Sequence, residues 1–340
     1  MSHRDIRLRY FGTKSSTLDA VVRASLSGID ARTAADAFGG LGTIGVALRN
    51  EGIQVTTCDV LGMPHAFQHT RVVLGRRPYY LALRQYLGVA SVADLLLHIR
   101  ELSDHRSWIV REFSTERKFF TRANAAKISG IWMSIASWKS KGLLSKSEEC
   151  HLVASLVNSA DRCANTAGTY YAYLKEWDRR AIKSFEFSWL DVPAAGPPGR
   201  AIRGDAIEVL GGDSFDLLYL DPPYNSRDYS RYYHFPESLA SLKRPKTDGR
   251  SMAGVPILRS KGGNSREKSW SLEYVQRLVA AVQWRRCVLH YCEGAHVSLD
   301  HMREMLSCHG KVEALTIDAA SYTTVPRSRA SKHHLFIVDK

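Results

Sequence analysis

The sequence predicts an α/β fold: an open seven-stranded sheet carrying a long, mostly helical insertion. Three observations predict it. A strand, a glycine-rich turn, a helix and a second strand follow one another between Thr33 and Asp59. A short apolar run, Phe215 to Leu220, stops at Asp221-Pro222-Pro223-Tyr224. Between residues 62 and 192 strand signals are sparse, and apolar residues fall at helical spacing.

The elements follow in order. After an N-terminal helix, Thr33-Ala-Ala-Asp36-Ala-Phe38 is a strand, and Gly39-Gly40-Leu41-Gly42 is its turn. The helix Thr43 to Asn50 ends at Gly52, a C′ glycine. Gln54 to Asp59 is the next strand and closes on a carboxylate. Such a unit binds an adenosine-containing cofactor, with the acid on the ribose hydroxyls. Gly40-x-Gly42-x-x-Gly45 has the dinucleotide spacing, but Asp36 ahead of Phe38 is foreign to that motif. Ser91 to Ile99 and Glu148 to Asn158 have helical spacing within the insertion. The breaker cluster Pro193 to Gly199 closes it. The sheet then resumes with Ala201 to Asp205, Phe215 to Leu220, Arg286 to Tyr291, Val312 to Ile317 and His334 to Val338. Residues 1–61 and 193–340 are therefore read as the cofactor-binding domain, 62–192 as the helical insertion, and 243–269 as a flexible basic loop within the former.

Asp221-Pro222-Pro223-Tyr224 carries the chemistry. Two prolines cannot continue a strand, since each lacks an N–H and fixes φ. The loop therefore sits at a strand's C-terminal tip, where open α/β sheets bind ligands. It offers a carboxylate, prolyl carbonyls and an aromatic face. An exocyclic amino group on a planar base needs that set: two acceptors for its protons and a ring to stack on. The plain alternative is a strand stopped by Pro-Pro.

Lys and Arg number 47 against 34 acidic residues, a net charge of +13, which favours a polyanionic partner such as nucleic acid. The six cysteines include no Cys-x-x-Cys. Cys287, His290 and Cys292 lie on one strand, whose residues alternate faces, so no metal is expected there. Reduced buried thiols fit a cytoplasmic protein. Residues 1–7 lack the apolar core of a signal peptide, and no apolar run approaches the ~18 residues of a membrane span.

Asp36-x-Phe38-x-Gly40-x-Gly42, followed far downstream by Asp221-Pro-Pro-Tyr224, resembles an S-adenosylmethionine-dependent DNA methyltransferase acting on an amino nitrogen. Arg9-Tyr10-Phe11-Gly12-Thr13-Lys14 resembles the opening of the Dam-like, alpha-ordered N6-adenine enzymes. Asn225 to His234 resembles the extension found in restriction-type members, and Val288 to Gly294 a later strand, with His290 where serine is usual. Phe119 to Ala126 and Ala164 to Tyr170 also match, so the resemblance spans nearly the whole chain. Gly39-Gly-Leu-Gly42 stands where the family usually has Ala-Gly-Thr-Gly.

The resemblance implies methyl transfer from S-adenosyl-L-methionine to N6 of an adenine flipped out of duplex DNA. Asp221, Pro222, Pro223 and Tyr224 would be catalytic. Tyr10, Lys14, Asp36, Phe38, Gly40, Gly42, Asp59 and Asp205 would hold the cofactor, and no metal is needed. The insertion would read the target sequence. Candidate DNA contacts are Arg76, Arg77, Arg117, Lys118, Arg122, Arg227, Arg231, Lys243 and Arg244, and the stretch from Arg71 to Arg84 also offers Arg71, Tyr79 and Tyr80. A separately acting restriction endonuclease fits the restriction-modification type, and a monomer is the default for enzymes that modify each strand separately. N4-cytosine methylation, an RNA or protein-glutamine substrate, and a non-catalytic DNA-binding protein of this fold are the alternatives.

Overall fold

The computed structural model describes residue 8 and residues 17–224, 228–247, 251–257, 269–319 and 331–340. Seven strands form one sheet: β1 (Thr33–Asp36), β2 (Gln54–Asp59), β3 (Arg200–Arg203), β4 (Ser214–Leu220), β5 (Gln283–Cys292), β6 (Val312–Ala319) and β7 (Ser331–Asp339). Their order is β3-β2-β1-β4-β5-β7-β6. The pairs from β3 to β5 are parallel, and β7 runs antiparallel to both neighbours. This is the open sheet expected, with the last strand reversed.

Strand periodicity divides the core. Leu218 and Leu220 face one apolar layer with Cys58, Tyr274 and Leu278, while Leu217 and Tyr219 face the other with Ile44, Leu48 and Val55. Burial on both faces explains why Phe215–Leu220 is a nearly continuous apolar run. At the opposite end of the strands from Asp221, the Asp216 carboxylate ties β4 to β1. Its Oδ2 accepts from the backbone N–H groups of Arg32 and Thr33 and from the Thr33 hydroxyl. Burial pushes that carboxyl up, but these bonds and one from Arg285 outweigh it and bring it down to about 2.

The chain divides into two compact units. Among the described residues, the sheet unit holds 17–75, 193–224, 228, 269–319 and 331–340. The other holds 8, 76–192, 229–247 and 251–257. The excursion that the sequence starts at residue 62 thus leaves the sheet unit at Arg76. The helix Gly62–Gln68 and the π-helical turn His69–Val73 pack on β2 and β3. The two ends of the excursion are tied together by buried Arg49, whose guanidinium donates to Leu74 O at 2.8 Å and to Pro197 O at 2.7 Å. Gly199 N–H donates to Val72 O beside it.

The second unit is mostly helical. Its principal helices are Leu81–Leu87, Val92–Glu101, Arg122–Ser140, Lys146–Asp161 and His234–Ser241. Ser91 with Asp94 and Ser145 with Glu148 form capping boxes. Residues 229–247, which the sequence assigns to the cofactor-binding domain, pack here instead. His234 is buried and its Nε2 pairs with Tyr170 O, while Phe235 joins Phe113, Phe120 and Tyr170 in an aromatic core. Burial brings the His234 imidazole down to about 4, so it is neutral at physiological pH. Within the basic segment 243–269, Thr247 and Pro256 form an antiparallel bridge. Residues 248–250 and 258–268 lie outside the described residues. Among the described residues no helix is long and apolar enough to cross a membrane.

Candidate active site

Four adjacent strands, β3, β2, β1 and β4, deliver an aspartate to the same edge of the sheet. β1 and β2 end on Asp36 and Asp59, Asp221 follows β4 directly, and Asp205 lies one residue beyond β3, after Gly204. The charges interact. Burial, then the neighbouring Asp221 and Asp59 carboxylates, push the Asp36 carboxyl up to about 7, against hydrogen bonds from Phe38 and Gly45 backbone. Burial raises the Cys58 thiol, and Asp59, Asp36 and Asp205 raise it further. An edge this acidic attracts a cation.

The glycine turn lies beside Asp36. Gly42 adopts φ +73° and opens the helix Thr43–Asn50, whose end is marked by Gly52 at φ +85°. Gly39 is required by space: a Cβ there would stand 2.7 Å from Gln68 Nε2. Gln68 is fully buried and its Nε2 donates to Gly40 O, so the helix after β2 braces the turn.

Asp59 Oδ1 accepts from Leu61 N–H at 2.9 Å. Asp205 caps the helix Ala206–Leu210 through Oδ1, and its Oδ2 accepts from the Tyr274 hydroxyl at 2.9 Å. Both Asp205 oxygens thus have protein partners, and any ligand contact by Asp205 adds to these bonds. The Tyr274 ring stands 6.3 Å from that of Phe38, forming an aromatic wall next to Asp205.

In the proline loop the Tyr224 hydroxyl donates to Asp221 Oδ1. The Tyr224 ring meets Tyr291 edge-on at 5.5 Å and His333 at 6.2 Å. His296 N–H donates to Tyr224 O, so the segment after β5 supports the loop.

Asp36, Phe38, Gly40, Gly42, Asp59, Asp205 and Asp221 to Tyr224 thus all lie along one edge of the sheet unit. Tyr10, Lys14 and Arg227 lie outside the described residues. Sequence reasoning misses Tyr274 and Gln68, because neither carries a motif and both reach the site by tertiary packing.

In the helical unit Arg76, Arg77, Lys118, Arg122, Arg231 and Lys243 are exposed. Arg76 lies over the exposed Tyr79 ring, 5.1 Å from its centroid. Arg117 and Arg244 are engaged in ion pairs, with Glu116 at 3.0 Å and Glu112 at 2.7 Å. Arg71 and Tyr80, both offered as DNA contacts by the sequence, do not face solvent. Arg71 is buried and donates to Leu41 O at 2.6 Å, and Tyr80 is buried with its hydroxyl on His151 Nδ1. Each has an internal partner, which sequence spacing does not reveal.

The chain is 26% identical over 333 residues to the type II methyltransferase M.FokI of Planomicrobium okeanokoites, covering 96% of this chain and 50% of that protein. It is 26% identical over 327 residues to the modification methylase LlaI of Lactococcus lactis subsp. lactis, covering 93% and 52%. It is 27% identical over 245 residues to the type II methyltransferase M.NlaIII of Neisseria lactamica, covering 69% and 71%. The chain thus spans about half the length of the first two relatives. The model of one family matches residues 10–271, which carry the glycine turn, the acidic strand ends and the proline loop, and the chain belongs to that family, the D12 class N6 adenine-specific DNA methyltransferases.

Proposed function

We propose that this chain transfers a methyl group from S-adenosyl-L-methionine to the N6 amino group of an adenine in duplex DNA. The observation that carries the reading is the placement of Asp221-Pro222-Pro223-Tyr224 at the tip of β4, next to the strand that ends in Asp36 and the glycine turn. The residues fit the donor. Its sulfonium and ammonium are cations, which suits an edge where Asp36 is held up to about 7 by burial and by neighbouring carboxylates. Phe38 and Tyr274 suit its adenine ring, and Asp59 its ribose hydroxyls.

When bound, the donor supplies an electrophilic methyl on a positively charged sulfur. The N6 amine is a poor nucleophile, because its lone pair is delocalised into the ring. The Asp221 carboxylate and the Pro222 carbonyl accept hydrogen bonds from its two N–H groups, which favours sp³ character and exposes the lone pair. Tyr224 supports the base, offsetting an unstacking cost of a few kcal/mol. The proton leaves after transfer, when the methylated amine is acidic, so no strong base is required. Positioning and electrostatics carry the rate.

The helical unit is the proposed target-recognition element. A sheet that holds cofactor and one base cannot read several base pairs without an added element in the groove. Exposed Arg76, Arg77, Lys118, Arg122, Arg231 and Lys243 supply phosphate contacts. A cytoplasmic monomer working beside a separate endonuclease completes the proposal. The test is incubation with tritiated S-adenosylmethionine and unmethylated duplex DNA, then digestion to nucleosides. Label in N6-methyladenine supports the reading. Label in N4-methylcytosine changes the base, and unlabelled DNA removes it as substrate.

A further inference from the structure

The transfer scheme uses neither His290 nor His333, yet both stand under the proline loop. His290, on β5, is fully buried. Its Nδ1 lies 2.8 Å from the Tyr219 hydroxyl on β4, and its Nε2 lies 2.9 Å from His333 Nδ1 on β7. Three strands are thus joined by one polar chain inside an otherwise apolar layer. Burying such groups costs free energy unless every member is paired, and paired members hold one another in fixed orientations. One N–H between the two imidazoles serves as the shared donor, so the two rings cannot both be doubly protonated without breaking their bond.

The chain reaches the loop at two points. Tyr219 lies on β4, two residues before Asp221. His333 packs against the Tyr224 ring at 6.2 Å and 75°, while Tyr291 meets that ring at 5.5 Å and 89°. That ring carries the hydroxyl bonded to Asp221 Oδ1.

We propose that His290 and His333 are positioning residues for methyl transfer: His290 orients the His333 ring, which sets Tyr224 and, through its hydroxyl, the Asp221 carboxylate. The proposal rests on the transfer reading above, and two readouts separate them. The first is the single-turnover rate on duplex DNA, with the KM for DNA and for donor. The second is the ¹⁹F resonance of Tyr224 in protein labelled with 3-fluorotyrosine, assigned with Tyr224→Phe. His290→Gln brings one donor and one acceptor into the same polar chain, and as the conservative variant it moves the Tyr224 line and the rate less than His290→Leu does. His333→Gln keeps the bond to His290 but removes the ring. It shifts the Tyr224 line and slows transfer about tenfold, with both KM values within about threefold. His290→Leu shifts the same line, and if that variant fails to fold His333→Gln decides alone. An unmoved Tyr224 line in His333→Gln, or a rate within about twofold of wild type, overturns the proposal. Wild-type protein that labels no DNA defeats the transfer reading, and the fluorine line then decides the positioning by itself.

Discussion

The hydroxyl of Tyr224 donates to Oδ1 of Asp221, three residues earlier in the same loop. The ring proposed to support the base and the carboxylate proposed to accept from the amine are therefore one mechanical unit rather than two independent contributions. Asp221→Ala removes the acceptor and is expected to lower single-turnover methylation by at least ~100-fold, with donor affinity within a few fold. Tyr224→Phe keeps the ring and is expected to retain a rate within about tenfold of wild type, whereas Tyr224→Ala is far slower. Equal rates for Phe and Ala would show that the ring contributes nothing.

Donor binding should depend on pH through Asp36. Its carboxyl titrates at about 7 in the folded chain against 3.8 when unperturbed, because of burial and the nearby carboxylates. The folded chain therefore holds a proton there that the unfolded chain has released, so this group's contribution to stability falls as pH rises between those values. A cationic donor prefers the ionised form. Affinity should accordingly rise with pH up to about 7, by at most about tenfold per unit, and binding should release a proton. Calorimetry in buffers of different ionisation enthalpy measures the release. In Asp36→Asn the release should vanish.

These carboxylates show how far the sequence reaches. Asp36, Asp59, Asp205 and Asp221 are legible because each stands at or just past the end of a strand, and a strand's end is written locally in glycine, proline or the turn that follows. The helix Thr43–Asn50 and its Gly52 are legible for the same reason. Tyr274 is not. It meets Asp205 across 69 residues of chain, and only the pairing of β4 with β5 brings its helix to the site. Arg71 shows the converse: its charge suggests a surface, but Leu41 O accepts its guanidinium in the interior. By motif, Tyr232 to His234 extend the proline loop, yet they belong to the helical unit because Tyr170 pairs with both Tyr232 O and His234 Nε2.

Asp59→Ala should raise the donor KM while leaving the rate at saturating donor near wild type. The variant also leaves Leu61 N–H without the acceptor it has at 2.9 Å, so a thermal melt belongs beside the kinetics. An unchanged KM would move the ribose contact elsewhere.

The clamp at Arg49 should matter for stability rather than chemistry. Its guanidinium donates to Pro197 O, Arg71 O and Leu74 O, and Gly196 passes so close that a Cβ would collide with Arg49 O. Gly196 also sits at φ +76°. Arg49→Met and Gly196→Ala are each expected to cost about 2–4 kcal/mol in denaturant unfolding. A destabilisation under about 0.5 kcal/mol in both would mean that the ends of the excursion are held by other groups.

Replacing exposed Arg76 and Arg77 by serine should flatten the slope of log affinity for duplex DNA against log salt. The expected change is ~0.9 for each phosphate that is no longer neutralised. Both guanidiniums stand beside aromatic rings, Tyr79 and Trp189. An unaltered slope would place the DNA on another face of the helical unit.

The most direct test is the methylated-nucleoside content of genomic DNA from a bacterial host lacking adenine methylation, with this chain expressed as wild type or as Asp221→Ala. The account predicts N6-methyladenine with the wild type and none with the variant at equal protein level. N4-methylcytosine in place of N6-methyladenine, or equal methylation by Asp221→Ala, would contradict it.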